Sequence, residues 1–294
     1  LFFSFWPFAA LKRRLAKFMM RKPCWRDMKT GWLNLDLSTN KDSFNKHMGQ
    51  NLTLSLNEFA DLTNEEFREI PTSFGYGNVT DAPPSVDWRE KGAVTPIKDQ
   101  GKCGCCWEFS VVAATERVNQ LRNGNLIPPS EQELVDCDTA GQDHGCEGDL
   151  MEYAFQFIQH NKGLTTETNY PYQGVDGTSC NTQKAASQTV SINEYEDVPK
   201  NPSPTNQISV AIDASGSTFQ FYSSGVFTGT CSTNLDHGVT AVDTGLVVMG
   251  LSIGWVNNSW GTGWGESGYV RMQRGIPAKE GLCGIAMEAS YPTA

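Results

Sequence analysis

The sequence predicts an α+β fold in two lobes, one helical and one built of strands, and three observations carry that prediction. Apolar residues recur at helical spacing from Cys106 onward, the texture beyond residue 185 changes to short β-branched runs, and a turn-rich stretch near residue 81 sets the first part of the chain apart. Helices first and strands later pack as separate layers, and the cleft between such lobes is a natural binding site. At 294 residues, 39% of them hydrophobic, the chain is long enough for one large domain or two smaller ones with real cores.

Residues 1–43 mix apolar, basic and Trp-rich pieces with no sustained period, and they predict no element. Leu1–Ala10 is apolar and Leu11–Lys17 basic, the reverse of signal-peptide order, so a clipped signal remnant is the expectation. From Leu54 the chain alternates like a strand, and Thr63 with Glu66 then reads as a capping box opening a helix. Residues 70–84 are turn formers without apolar period, which makes a linker. The organisation expected is therefore a leader over 1–43, a short segment over 44–80 and a main domain over 81–294.

In the main domain, Trp107, Val111, Ala114, Val118 and Leu121 are spaced by 4, 3, 4 and 3. That spacing predicts a helix over Cys106–Leu121 with one face on a core, stopped by Asn123-Gly124. Ser130 with Glu133 is a second capping box. Gly148–His160 is a third helical stretch, ended by Asn161-Lys-Gly163. Strands are expected at Gln188–Ile192, Ile208–Ile212, Val239–Val242 and Gly268–Met272.

Charge narrows the partners. The net charge is -10, with no long Lys/Arg run, so nucleic acid is not an expected partner. Residues 1–80 hold 11 of the 23 Lys/Arg and 8 of the 33 Asp/Glu, a balance of +3, leaving 12 against 25 beyond. The two parts attract at neutral pH, and that attraction fades as carboxylates protonate. No stretch reaches the roughly 18 apolar residues of a membrane span, so a soluble protein is expected. Eight of the nine cysteines lie beyond residue 80, which suits an oxidising, secretory route. Only Cys103-Gly-Cys105-Cys106 has tight ligand spacing, and it lacks a second pair, so no metal and no cofactor are expected.

Cys106 opens a long helix, where unpaired N–H groups and the positive dipole end favour a thiolate nucleophile. Such a thiol needs a base. Of four histidines, His47 lies in the leader, while His144 in a turn and His160 at a helix end read as surface residues. His237 heads an apolar strand and is followed by Gly238; taken alone it reads as a core histidine. Spacing reverses that reading: His237 follows Cys106 by 131 residues, and Asn258-Ser-Trp260-Gly-Thr-Gly-Trp-Gly265 begins 21 residues later. Cys103-Gly-Cys-Cys106-Trp107 with His and Asn at that distance is a known signature. On these residues the chain resembles the papain-like cysteine proteases over about 44–69 and 83–294. The plant members resemble it most, through Ser130-Glu-Gln-Glu-Leu-Val-Asp-Cys137, Gly163-Leu-Thr-Thr and Tyr170-Pro-Tyr172.

The resemblance implies a two-lobed papain-like fold, a helical lobe and a β-barrel-like lobe with the active site in the cleft, and an endopeptidase on polypeptide substrates. Cys106 resembles the nucleophile, His237 its acid–base partner, Asn258 the residue that orients the imidazole, Trp260 its shield and Gln100 the oxyanion-hole donor. Gly148, Asp149, Leu150, Met151, Ala211, Leu235, Asp236, Gly238 and Glu288 match substrate-binding positions, Glu288 as the floor of an apolar pocket that takes Leu or Phe and tolerates Arg. The same alignment pairs Cys103–Cys146, Cys137–Cys180 and Cys231–Cys283, a choice that spacing alone leaves open among 15 connectivities. Cys106 stays free, and Cys105 stands where Ser is usual; a Cys105–Cys106 disulfide would be strained. Asn57-Glu-Phe59-Ala-Asp61 resembles a propeptide motif, so 44–80 is expected to block the cleft until acid releases it. A monomer in the lysosome, vacuole or extracellular space, inhibited by its own propeptide and by cystatin-like or epoxide inhibitors, completes the expectation. Asn51 and Asn78 head glycosylation triplets.

The sequence also departs from the family. The long propeptide helix signature is not recognisable in residues 1–43. Glu108 stands where a small residue is usual, and a carboxylate there would raise the Cys106 pKa. Asp149 replaces a second Gly, a helix near residues 200–207 looks shortened, and residues 243–257 replace a Gly/Tyr-rich strand pair. These departures motivate the alternative of a catalytically impaired homologue that binds peptides or inhibitors without cleaving.

Overall fold

The computed structural model describes residues 52–54, 86–138, 145–177, 179–197, 207–243, 246–248 and 251–293. Helix α1, Cys106–Asn123, is followed by Gly124 in the left-handed region (φ 71°), whose N–H closes on Gln120. Only glycine takes that geometry without a Cβ penalty, so the sequence stop signal acts as read. Trp107, Val111, Ala114 and Val118 of the predicted apolar face are buried, but Leu121 is 55% exposed. The correction is physical: a helix's last turn runs past the edge of the core it packs on, and periodicity cannot see that edge.

Helix α2, Glu131–Cys137, opens at Ser130, whose Oγ accepts from Glu133 N at 3.0 Å. The return half of the capping box is not made. The Glu133 carboxylate instead accepts from Thr165 N (2.7 Å) and Asn161 Nδ2 (2.9 Å), tying α2 to the end of the next helix. That helix, α3, spans Met151–His160, three residues later than expected, because Gly148 at φ 91° and extended Leu150 hold the chain out of the helix. Two short helices, α4 (Thr182–Ala185) and α5 (Ser217–Gln220), follow.

The strands are β1 (Leu52–Leu54), β2 (Glu194–Asp197), β3 (Ile208–Ile212), β4 (Tyr222–Phe227), β5 (His237–Ala241), β6 (Leu246–Val248), β7 (Leu251–Asn257), β8 (Tyr269–Gln273) and β9 (Ala289–Thr293). Their order is β1-β4-β8-β7-β5-β3-β9-β2, with β6 beside β7; among the described residues only β4 and β8 run parallel. The strand expected over Gln188–Ile192 reduces to a single bridge between Val190 and Leu164, since no second partner extends the ladder. The unusual 243–257 segment still forms a strand pair, with Leu246 opposite Ile253 and Val248 opposite Leu251. The Thr63–Glu66 capping box, the linker and the 200–206 stretch lie outside the described residues.

Two cores make the two lobes. Trp107, Val111, Leu134, Phe155, Ile158 and Leu164 form one, and Val210, Phe219, Tyr222, Phe227, Trp264 and Met272 the other. Helix α1 packs on β3, β5 and β9 as well as on α2 and α3, so its N-terminus lies at the seam. This is the two-lobed α+β arrangement that the sequence predicted.

Candidate active site

The seam is built by three local structures. Cys105 is the N-cap of α1 and Cys106 its first residue, so the Cys106 thiol stands at the positive end of an 18-residue helix. His237 is the first residue of β5, held opposite Ile212 by the β3–β5 ladder. In the β5–β7 ladder Thr240 faces Asn257. That pairing carries the chain after β7 back past His237, and Trp260 stacks on the imidazole at 4.6 Å between centroids.

The groups meet in a row. Gly238 N donates to Cys106 Sγ at 3.4 Å, and the His237 ring hydrogen-bonds Cys106 on one side. On the other side His237 Nε2 lies 2.7 Å from Asn258 Oδ1. A carbonyl oxygen only accepts, so Nε2 carries a proton there. Burial alone would push the imidazole pKa down; the Cys106 charge, then the bonds to Cys106 and Asn258, outweigh it and leave His237 above its usual value. Gly238 fits a tight space: a Cβ would sit 3.1 Å from the Cys106 carbonyl oxygen and from Trp107 Cα, so a larger residue would press on the backbone that carries the thiol. Asp236, next in the chain, is buried and pushed up to about 8, chiefly by burial, while Ala214 N donates to its Oδ1 at 2.6 Å.

Gln100 is 1% exposed. Its Nε2 donates to Cys103 O at 2.9 Å, and its Oε1 accepts from Ser259 Oγ at 2.5 Å. Ser259 N donates to Asn258 Oδ1 at 2.9 Å, so one serine links Gln100 to the residue behind the imidazole. Sequence reasoning gave Ser259 no role, although it stands inside the Asn258–Trp260 motif.

Of the substrate-binding positions, Met151, Ala211 and Leu235 are buried in one cluster with Met287 against it. Ala211 N donates to Glu288 O at 2.9 Å, and the Glu288 side chain is fully buried rather than in water. Gly148 and Leu150 are half-buried, and Asp149 between them is 8% exposed, its Oδ1 accepting from Leu150 N. Glu108 is fully buried one residue beyond Trp107; burial chiefly, with the Glu108 charge adding to it, raises the Cys105 thiol and the Tyr172 phenol. His160 is exposed; His47 and His144 lie outside the described residues.

Disulfides join Cys103 to Cys146, Cys137 to Cys180 and Cys231 to Cys283, while Cys105 and Cys106 are free thiols. Among the described residues no group of three or more His, Cys, Asp or Glu could hold a metal ion, and no helix is long and apolar enough to cross a membrane.

A thiol at a helix N-terminus, bonded to an imidazole whose other nitrogen meets a side-chain amide, is an arrangement suited to a cysteine hydrolase. The family description "Papain family cysteine protease" matches residues 82–293. Vignain of Ricinus communis is 53% identical over 264 residues, 81% of this chain and 73% of that protein. Cysteine endopeptidase RepA of Oryza sativa subsp. japonica is 52% identical over 277 residues, 84% and 73% of the two chains. The proform of the Amb a 11 cysteine protease, a major ragweed pollen allergen, superposes with a TM-score of 0.79 at 40% identity, covering 87% of this chain and 85% of that one. The chain belongs to the papain family of cysteine proteases, and it is a cysteine endopeptidase that acts on polypeptides.

Proposed function

We propose that Cys106 attacks the peptide carbonyl as a thiolate paired with the His237 imidazolium. His237 gives its proton to the leaving amine as the acyl-enzyme forms, then takes one from water, whose hydroxide releases the acid and restores the thiol. Gln100 and the Cys106 N–H receive the oxyanion, Asn258 orients the ring and Trp260 keeps water from that bond. The observation that carries this is the row Cys106–His237–Asn258, with the imidazole bonded on both sides.

Residues 44–80 act as an inhibitory propeptide, cut away near residue 81 after acid weakens its attraction to the acidic domain. Two observations support this: the charge balance, and β1, which pairs antiparallel along Tyr222–Gly225 at the sheet edge. Three disulfides fit an oxidising route ending in the vacuole, lysosome or extracellular space. Met151, Ala211 and Leu235 accept Leu or Phe as the second residue before the cut, and Glu288 below them tolerates Arg. Cystatin-like proteins and epoxides would compete for the cleft of the monomer.

An epoxide probe applied after acid treatment tests the reading. Labelling of Cys106, with peptide hydrolysis lost in Cys106→Ala, is the expected result. A second reading, binding without cleavage, draws on the buried Glu108 and on Asp149 in the substrate wall; an unlabelled Cys106 in folded, processed protein would select it.

A further inference from the structure

Gln100 sits in a loop, and a side-chain amide on a loop is only as well placed as the backbone beneath it. From the strand lobe, Gln100 N donates to Ser259 O at 2.8 Å. From the helical lobe, Tyr172 Oη donates to Gln100 O at 2.7 Å, and Cys105 Sγ lies 2.9 Å from the same Oη. A carbonyl can only accept, so the phenol's one proton goes to Gln100 O; the Cys105 thiol, whose other acceptor Cys103 O lies farther off at 3.8 Å, is then the group that donates to Oη. Burial raises both the Cys105 thiol and the Tyr172 phenol far above their ordinary values, so each keeps the proton that this order requires.

The phenol itself is clamped. Tyr172 N donates to Glu167 Oε1 at 2.8 Å, and the ring meets Phe109 of α1 edge-on at 4.9 Å. Cys105 is the N-cap of the helix that Cys106 begins. The chain S–H to O–H to C=O thus measures the Gln100 backbone against the very turn that carries the nucleophile.

We propose that Cys105 and Tyr172 are positioning residues for the oxyanion donor, the thiol of Cys105 serving as a buried hydrogen-bond donor and Tyr172 relaying its constraint to Gln100. The inference rests on the reading of Gln100 given above. It predicts a defect confined to steps in which an oxyanion develops. Hydrolysis of a peptide amide passes through such a species; alkylation of Cys106 by iodoacetamide, a displacement at carbon, does not.

The test measures kcat and KM on a peptide amide, and the Cys106 alkylation rate read by mass spectrometry, on acid-processed Tyr172→Phe, Cys105→Ala, Cys105→Ser and Gln100→Ala. Tyr172→Phe and Cys105→Ala each lower kcat by about three- to tenfold, the worth of one hydrogen bond, with KM and alkylation unchanged. Cys105→Ser, which keeps a donor, recovers most of the Cys105→Ala loss. Adding Tyr172→Phe to Gln100→Ala costs nothing further. An unaltered kcat in Tyr172→Phe, or an equal fall in the alkylation rate, overturns the inference while leaving Gln100 its role. A Gln100→Ala enzyme with full kcat overturns that role and the inference with it.

Discussion

At the scale of single residues, the proposed chemistry depends on how one imidazole keeps a proton inside protein. His237 is 4% exposed, and burial opposes its proton. The proton stays because Cys106 offers a negative partner and Asn258 an acceptor on the opposite nitrogen. The sign for activity follows. The thiolate–imidazolium pair persists until pH rises through the elevated His237 value, so the alkaline limb of the pH–rate profile lies above the ordinary imidazole range. Asn258→Ala removes one of the contributions that raise His237. It is expected to move that limb to lower pH and to reduce kcat/KM by about tenfold, the worth of one charge-assisted bond. A limb left in place, measured over a series of buffers, would refute the role of Asn258.

At the scale of elements, capping and side-chain ties decide where helices begin and what they hold. Ser130 Oγ accepts from Glu133 N and donates to Tyr170 O at 2.5 Å, so one hydroxyl both starts α2 and fastens the Tyr170-Pro-Tyr172 segment. Ser130→Ala leaves the Glu133 N–H and the Tyr170 carbonyl without it. A loss of about 1–2 kcal/mol is expected from urea melts of the processed domain. The neighbouring charge cluster is of another kind: Lys98 Nζ stands 2.6 Å from both Glu116 and Glu131, and the last of these also bonds Glu167. One cation cannot neutralise three carboxyls, two of them buried and Glu167 half-buried, and desolvation lifts all three above the usual carboxylate range.

At the scale of the whole molecule, these carboxyls give the fold a preference for acid. Glu133, buried and tied to Thr165 and Asn161, is pushed from 4.5 to about 7, chiefly by burial. A carboxyl whose pKa folding raises binds its proton more tightly in the folded chain. Its contribution to stability is therefore full below the unfolded value and is lost as pH climbs through the folded one. The melting temperature is expected to fall between about pH 5 and 8. Glu133→Gln should flatten that slope, and a slope identical to the parent's would exclude Glu133 as a source.

The sequence by itself determined the elements whose signals are local: the start of α1 at Cys106, its stop at Gly124, the Ser130 cap, the strand at Ile208–Ile212, and a strand expected at Val239–Val242 that the structure places at His237–Ala241. Helix period, capping boxes and left-handed glycines act over a few residues and can be read from them. The long motifs also singled out Cys106, His237, Asn258, Gln100 and Trp260 as candidates, since type and spacing travel together there. Tertiary structure alone decided what lies beyond that reach. It put Leu121 in water, reduced Gln188–Ile192 to one bridge, turned Glu133 from its own cap to Thr165, and buried Glu108 beside Cys105 and Tyr172. Each outcome depends on which distant segment arrives as neighbour, and on whether water is excluded when it does. Neither is written in local pattern.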